Sequence, residues 1–170
     1  MPTNLPLPIE FDLPEGWRTA PPDEVGASGA AFVAIHLPST AGFTANITID
    51  GEYRPDSATL AEMADESMEH LRQASTSVTL IDRTESGSTD APGLTQTLAF
   101  SALAEATTHD LVQSQVYLSL LDVTDPHKRV VIRLVLTSAS SQHPHVLDDF
   151  KDLVRTVRPA GGQRRGNPAR

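Results

Sequence analysis

The residues of this 170-residue sequence that could do chemistry are six histidines, scattered serines and one tight group of aspartates. The histidines are His36, His70, His109, His127, His143 and His145. His143-Pro144-His145 sets two imidazoles two residues apart, as a chelating pair would be, but zinc needs a third and a fourth ligand. The neighbouring sequence supplies neither, so a solvated pair at a helix entrance is the expectation. The chain has no cysteine, which excludes disulfides, thiol nucleophiles and thiolate metal sites. Its serines include no G-x-S-x-G elbow, and Gly26-Ala-Ser-Gly29 reads as a loop. No Gly-rich phosphate loop is present. Asp148, Asp149 and Asp152 fall in the first turns of a C-terminal helix, where negative charge suits the helix dipole. Asn46-Ile47-Thr48 matches a glycosylation sequon but lies in a strand. The expectation is a protein with no catalytic residue, no metal and no cofactor.

The element around which the rest must be arranged is the stretch from Leu111 to Ser138. Its first arm puts Val112, Val116, Leu118 and Leu120 on one parity and Gln113, Gln115 and Ser119 on the other. Its second arm puts Val130, Ile132, Leu134 and Leu136 opposite Arg133 and Thr137. Period-two alternation marks strands, and the polar, Pro-containing connection from Asp122 to Lys128 marks a turn. The second parity is mixed, since Tyr117, Leu121, Val131 and Val135 share it with the polar residues. Polar groups around an aromatic are the make-up of a protein interface. Gln113, Gln115, Tyr117 and Arg133 are therefore the candidate protein-binding face. Partial cover by a helix, with long polar side chains along its margin, would produce the same pattern.

The remaining elements follow in order. Ile9 to Leu13 alternates and ends at the turn Pro14-Glu15-Gly16. Trp17, the only tryptophan, is expected to plug the core with Phe11. Residues 19–29 read as a loop, Ala31 to Leu37 and Phe43 to Ile49 as strands, and Asp50-Gly51 as punctuation. A helix is predicted over Ala58–Ala74, opened by a Thr59-x-x-Glu62 capping box. Short strands over Val78–Arg83 and Leu94–Leu103 flank a Ser/Gly/Pro-rich loop. A second helix over Pro144–Val157 carries Val146, Leu147, Phe150, Leu153, Val154 and Val157 on one stripe. His36, at a strand end, is expected to be half-buried. Residues 1–8 are expected to be extended, 9–158 a single domain, and 159–170 a disordered tail. The order β-β-β-α-β-β-β-β-α implies an α+β fold, an antiparallel sheet of about six to seven strands with two helices packed on it.

Composition bounds the partners. Apolar residues make up 39% and charged residues 21% of the chain, a globular balance. The net charge is −9, and setting aside Arg164, Arg165 and Arg170 leaves −12 on the body. Such a surface disfavours nucleic acid and anionic lipid. No apolar run is long enough to span a membrane, and the N-terminus has no secretory pattern, so a cytoplasmic location is expected. The expected partner is a protein, and the expected state a monomer or weak homodimer. A small-molecule or lipid carrier, with a cleft between sheet and helix, is the alternative.

Phe11-Asp-Leu-Pro-Glu-Gly-Trp17, the helix opened by Thr59-Leu60, the long hairpin and the ending Phe150-x-x-Leu153-Val154-x-Thr156-Val157 together resemble the PsbP-like, or Mog-type, α/β/α sandwich superfamily. Within it the chain is similar to actinobacterial LpqN-type proteins. The resemblance covers residues 9–158. It implies a non-catalytic adaptor, accessory factor or secretion-associated chaperone. It transfers no catalytic motif. LpqN-type proteins are anchored through a lipidated cysteine, and with no cysteine here that surface location does not carry over.

Overall fold

The computed structural model describes residues 9–22, 30–36, 43–54, 58–87, 92–104, 106–121 and 129–159. The 1–8 segment, the Gly26–Gly29 loop, the hairpin connection 122–128 and the tail from 160 onward lie outside them. The elements are β1 (Ile9–Glu10), β2 (Trp17–Ala20), β3 (Phe32–His36), β4 (Asn46–Tyr53), α1 (Leu60–Ala74), β5 (Thr76–Gly87), β6 (Pro92–Ala104), β7 (Thr107–Leu121), β8 (Arg129–Ala139), α2 (His143–Thr156) and β9 (Arg158–Pro159).

Seven strands form one antiparallel sheet in the order β2-β3-β4-β8-β7-β6-β5. The hairpin Leu111–Ser138 is at its centre as β7 and β8, with Val116 opposite Leu134 and Tyr117 opposite Arg133. Register fixes which side chains share a face. Ile132, Leu134 and Leu136 of β8 face α2 together with Ile47 and Ile49 of β4 and Ala34 of β3, and α2 adds Val146, Phe150 and Leu153. Val131 of β8, Tyr117 of β7 and Leu94 of β6 face the other way, against Leu60, Met63 and Ala64 of α1. The helices thus cover opposite faces. They also sit over different halves, since α2 lies along β8 and α1 over β5 and β6. No helix among the described residues is long and apolar enough to cross a membrane.

Local chemistry explains the ends. Thr59 Oγ1 accepts from the Glu62 amide at 3.0 Å, and the Glu62 carboxylate accepts from the Thr59 amide at 2.8 Å. This reciprocal pair satisfies two free amides of the first turn of α1. Pro144 occupies the first turn of α2, where its missing N–H costs nothing. At Pro14-Glu15-Gly16 the Trp17 amide donates back to Pro14 O at 3.3 Å. Gly16 has φ +93°, the left-handed geometry a type II turn requires at this position. Trp17 is buried, and Phe11 packs against the same core with its ring edge-on to Phe32.

Several boundaries differ from the periodicity reading. Residues 17–20 form β2, an edge strand paired with β3. Trp17 is buried, Ala20 half-buried and Arg18 and Thr19 exposed, too short a run for alternation to register. Asp50-Gly51 does not end β4, because pairing with β8 continues to Tyr53 opposite Val130. Strands β5 and β6 are 12 and 13 residues long and continue into the Ser/Gly/Pro-rich segment, where Gly87 pairs with Pro92. Pro159, taken as the start of the tail, pairs with Ile9. Arg158 reaches Glu10 at 3.4 Å and Asp12 at 3.6 Å, which ties β9 to β1 and the residues after it.

Candidate functional site

The row Gln113, Gln115, Tyr117 and Arg133 lies under α1. Gln115 is 1% exposed and Tyr117 3%, so neither can meet a partner while α1 is in place. This corrects the reading of Gln115 and Tyr117 as accessible, while Gln113 and Arg133 are half-buried. The reason is hydrogen bonding. Gln96 of β6 is directly opposite Gln115, and its Nε2 donates to Gln115 Oε1 at 2.7 Å and to the α1 carbonyl of Ala64 at 3.1 Å. Gln115 Nε2 donates to Gln113 Oε1 at 2.7 Å, and the Tyr117 hydroxyl donates to Gln115 Oε1 at 3.2 Å. Arg83 of β5 closes the chain, with Nε and Nη2 on Gln96 Oε1 and Nη2 on Asp65 of α1 at 2.8 Å. A buried polar group is tolerated when its partners are present, and here the sheet face supplies them side by side for the glutamines and Tyr117, while Ser119 Oγ and Arg133 Nε on the same face have no partner among the described residues. Arg133 stands at the margin of this seam, opposite Asp50 on one side and Tyr117 on the other. Burial raises the Asp50 carboxyl above its ordinary range, with Arg133 working against that rise and Glu52 adding to it. Burial likewise pushes the Tyr117 phenol up.

The face toward α2 offers what the α1 face does not. Because α2 follows β8, the same side of β7, β6 and β5 is left open beside it. A groove of about 430 Å³ runs there. Its floor is Val116 and Ser114 of β7, Thr95 and Thr97 of β6, and Asp82 of β5. Its single wall is Leu147, Phe150, Lys151, Val154 and Arg155 of α2. Its wall is largely apolar through Leu147, Phe150 and Val154, its floor mixes Val116 with hydroxyl side chains, and Asp82, Lys151 and Arg155 bring charge to its rim. Arg155 is held by Asp152 one turn earlier.

Sequence reasoning named a cleft between sheet and helix only for the alternative carrier and assigned it no residues, though part of its signal was present. The apolar stripe of α2 has six positions, but only Val146, Phe150 and Leu153 are buried. Leu147, Val154 and Val157 are half-buried against the same core, and the first two also line the wall with Phe150, Lys151 and Arg155. Nothing in the periodicity said that α2 would follow β8 and leave β5 and β6 bare.

At the start of α2, His143 is inserted between two strands. Its Nε2 is 3.2 Å from Ser114 Oγ on β7, and its Nδ1 is 3.0 Å from Ser138 Oγ on β8. In the neutral ring one nitrogen donates and the other accepts. Burial holds the imidazole below its ordinary pKa. His143 is therefore a packed anchor and not the solvated partner of His145, which is exposed. Asp149, expected to serve the helix dipole, accepts from Trp17 Nε1 at 3.0 Å. His36 is half-buried with its ring 4.9 Å from Trp17. Among the described residues no three His, Asp or Glu side chains come together as a metal site would need.

No family model and no curated protein matches the sequence. Solved structures do match. LpqN of Mycobacterium tuberculosis, involved in cell envelope biogenesis, superposes with a TM-score of 0.59 at 13% identity, over 91% of this chain and 86% of that one. Cyanobacterial PsbP (CyanoP) from Synechocystis gives 0.58 at 17%, over 89% and 86%. The Ran-binding protein Mog1p of Saccharomyces cerevisiae gives 0.58 at 13%, over 91% and 92%. The fold is thus the PsbP-like, Mog-type α/β/α sandwich.

Proposed function

We propose that this protein is a non-catalytic binding module that receives an apolar side chain of a protein partner in the groove between α2 and strands β5–β7. The observation that carries this reading is the make-up of the groove: one floor that mixes Val116 with hydroxyl side chains, one largely apolar wall on α2, and a charged rim. A carrier has to shield an apolar ligand from water on most sides. A groove lined on one side by helix and below by sheet suits an inserted side chain whose own protein supplies the remaining cover. Among its structural neighbours, Mog1p is by name a protein-binding protein.

The hydroxyl–imidazole contacts of His143, with Ser114 and with Ser138, favour the same reading. Ser114 lies inside β7, opposite Thr97 on one side and Leu136 on the other. Its neighbours' amides are engaged in the sheet, so the backbone donors that stabilise an oxyanion are not available there. Behind the imidazole stands a serine, Ser138, in the place where a carboxylate would hold an imidazolium.

A photoreactive amino acid at Leu147, introduced in the source organism, tests the proposal. A discrete protein adduct is expected from Leu147 and none from the same probe at Arg18, on the far edge of the sheet. Val154→Arg should abolish the adduct while the melting temperature stays within a few degrees. An adduct that survives Val154→Arg, or a co-purifying small molecule seen in native mass spectra and lost with that variant, would overturn it.

A further inference from the structure

The two edges of the sheet are unequal. β2 has four residues, while β5 has twelve and, among the described residues, no strand beyond it. Long bare edges invite pairing, and proteins usually interrupt them. β5 is interrupted in its first half, where register shifts fall between Thr76 and Thr79 and between Leu80 and Asp82, and Ser77 has φ +59°. From Asp82 to Gly87 the register against β6 is unbroken. This regular half reads Asp82-Arg-Thr-Glu-Ser-Gly87, and apart from Arg83 its residues are exposed.

We propose that this half of β5 pairs antiparallel with the same strand of a second copy, about a two-fold axis through Thr84. The argument is charge complementarity. A two-fold axis perpendicular to the sheet matches residues whose numbers are symmetric about the axis, and isologous contacts then come in duplicate. With Thr84 facing its own counterpart, Arg83 faces Glu85 of the second copy and Glu85 faces Arg83. Both pairs lie on the α1 side, where Arg83 already contacts Gln96 and Asp65. Opposite charges directly across a strand pair are favourable. Arg83 Nη1 makes no hydrogen bond among the described residues, and Glu85 makes no ion pair there. On the other side Asp82 meets Ser86, so no like charges are opposed. Moving the axis to Asp82 or Glu85 would set a carboxylate against itself. The dimer joins two seven-stranded sheets edge to edge, and the open ends of the two grooves, each bounded by Asp82, then face one another. The pairing does not depend on what the groove binds.

The chain's lack of cysteine makes a clean test possible. Directly opposed residues of antiparallel strands have Cα atoms about 4.5 or 5.5 Å apart, within the disulfide range of about 4.4–6.8 Å. Thr84→Cys should oxidise rapidly to a linked dimer, whereas Leu103→Cys, 72% exposed but away from the edge, should link at least tenfold more slowly. Adding Glu85→Arg to Thr84→Cys sets arginine against arginine twice and should slow the linkage at least tenfold. In sedimentation, the unmodified chain should rise from 18.3 kDa toward twice that mass with concentration, and Glu85→Arg should not. The proposal is overturned if Thr84→Cys links no faster than Leu103→Cys, if Glu85→Arg leaves the linkage unchanged, or if the unmodified chain stays monomeric at every concentration.

Discussion

The two faces of the sheet are both covered by a helix, yet they are built from different materials. Under α2 the strands present Ile47, Ile49, Ile132, Leu134 and Leu136, and the helix returns Val146, Phe150 and Leu153. Under α1 the strands present Gln96, Gln115 and Tyr117 among Leu94 and Val131. The first face is held by area removed from water. The second is held in part by a chain of hydrogen bonds that must be complete, because an unsatisfied buried group costs more than a satisfied one contributes. The comparison teaches that polar alternation along a strand reports a hydrogen-bonding requirement, which solvent or a neighbouring strand can meet equally well.

Two substitutions separate the faces. Phe150→Ala on the α2 side removes a fully buried ring and leaves a cavity, and should lower unfolding free energy by about 3–5 kcal/mol. Urea titration would read this as a lower midpoint at similar slope. A loss below about 1 kcal/mol would mean that α2 is not seated as described. Gln115→Ala on the α1 side removes little apolar area but takes an acceptor from Gln96 and Tyr117 and a donor from Gln113. The expected cost is about 1–3 kcal/mol. Replacing Gln96 and Gln115 together by leucine should cost less than the sum of the two single leucine variants, since both halves of the shared bond go at once. Additive losses in that cycle would contradict a coupled network.

These variants also bear on what the sequence could disclose. The hairpin, both helices, the Thr59–Glu62 box and the burial of Trp17 follow from local period and cap chemistry, which depend on residues within a few positions of one another. The glutamine seam was visible as polar residues but not as buried ones. Its completion depends on Gln96 lying opposite Gln115, 19 residues away, and on the carbonyl of Ala64, 32 residues from Gln96. The groove was less legible still. The surplus of Leu147 and Val154 in the α2 stripe hinted at it, but its floor depends on which strands α2 leaves bare, and that is a property of strand order. β2 escaped because four residues at an edge carry too little alternation.

The smallest expected difference between the faces is in their response to pH, where the two titrate in opposite directions. His143, held between Ser114 and Ser138 at the start of α2, has a folded pKa below its ordinary 6.5 because burial disfavours the imidazolium. The unfolded chain therefore takes up its proton first. The contribution of His143 is fully present above about pH 6.5 and is lost as pH falls through that value to the lower folded one. Asp50, on the α1 side, has a folded pKa above 3.8, chiefly through burial. For this group the folded chain takes up the proton first, so stability is recovered as pH falls through the raised value toward 3.8. His143→Gln, which can still bond a hydroxyl but cannot titrate, should flatten the decline just below neutrality and leave the acid side unchanged. Asp50→Asn should leave the decline near neutrality and remove the compensation below it. Melting temperatures taken from pH 8 to pH 4 on the two variants and the parent would resolve these slopes. A decline near neutrality that persists undiminished in His143→Gln would show that the imidazole is as well solvated in the fold as in the unfolded chain, and that α2 is not anchored through it.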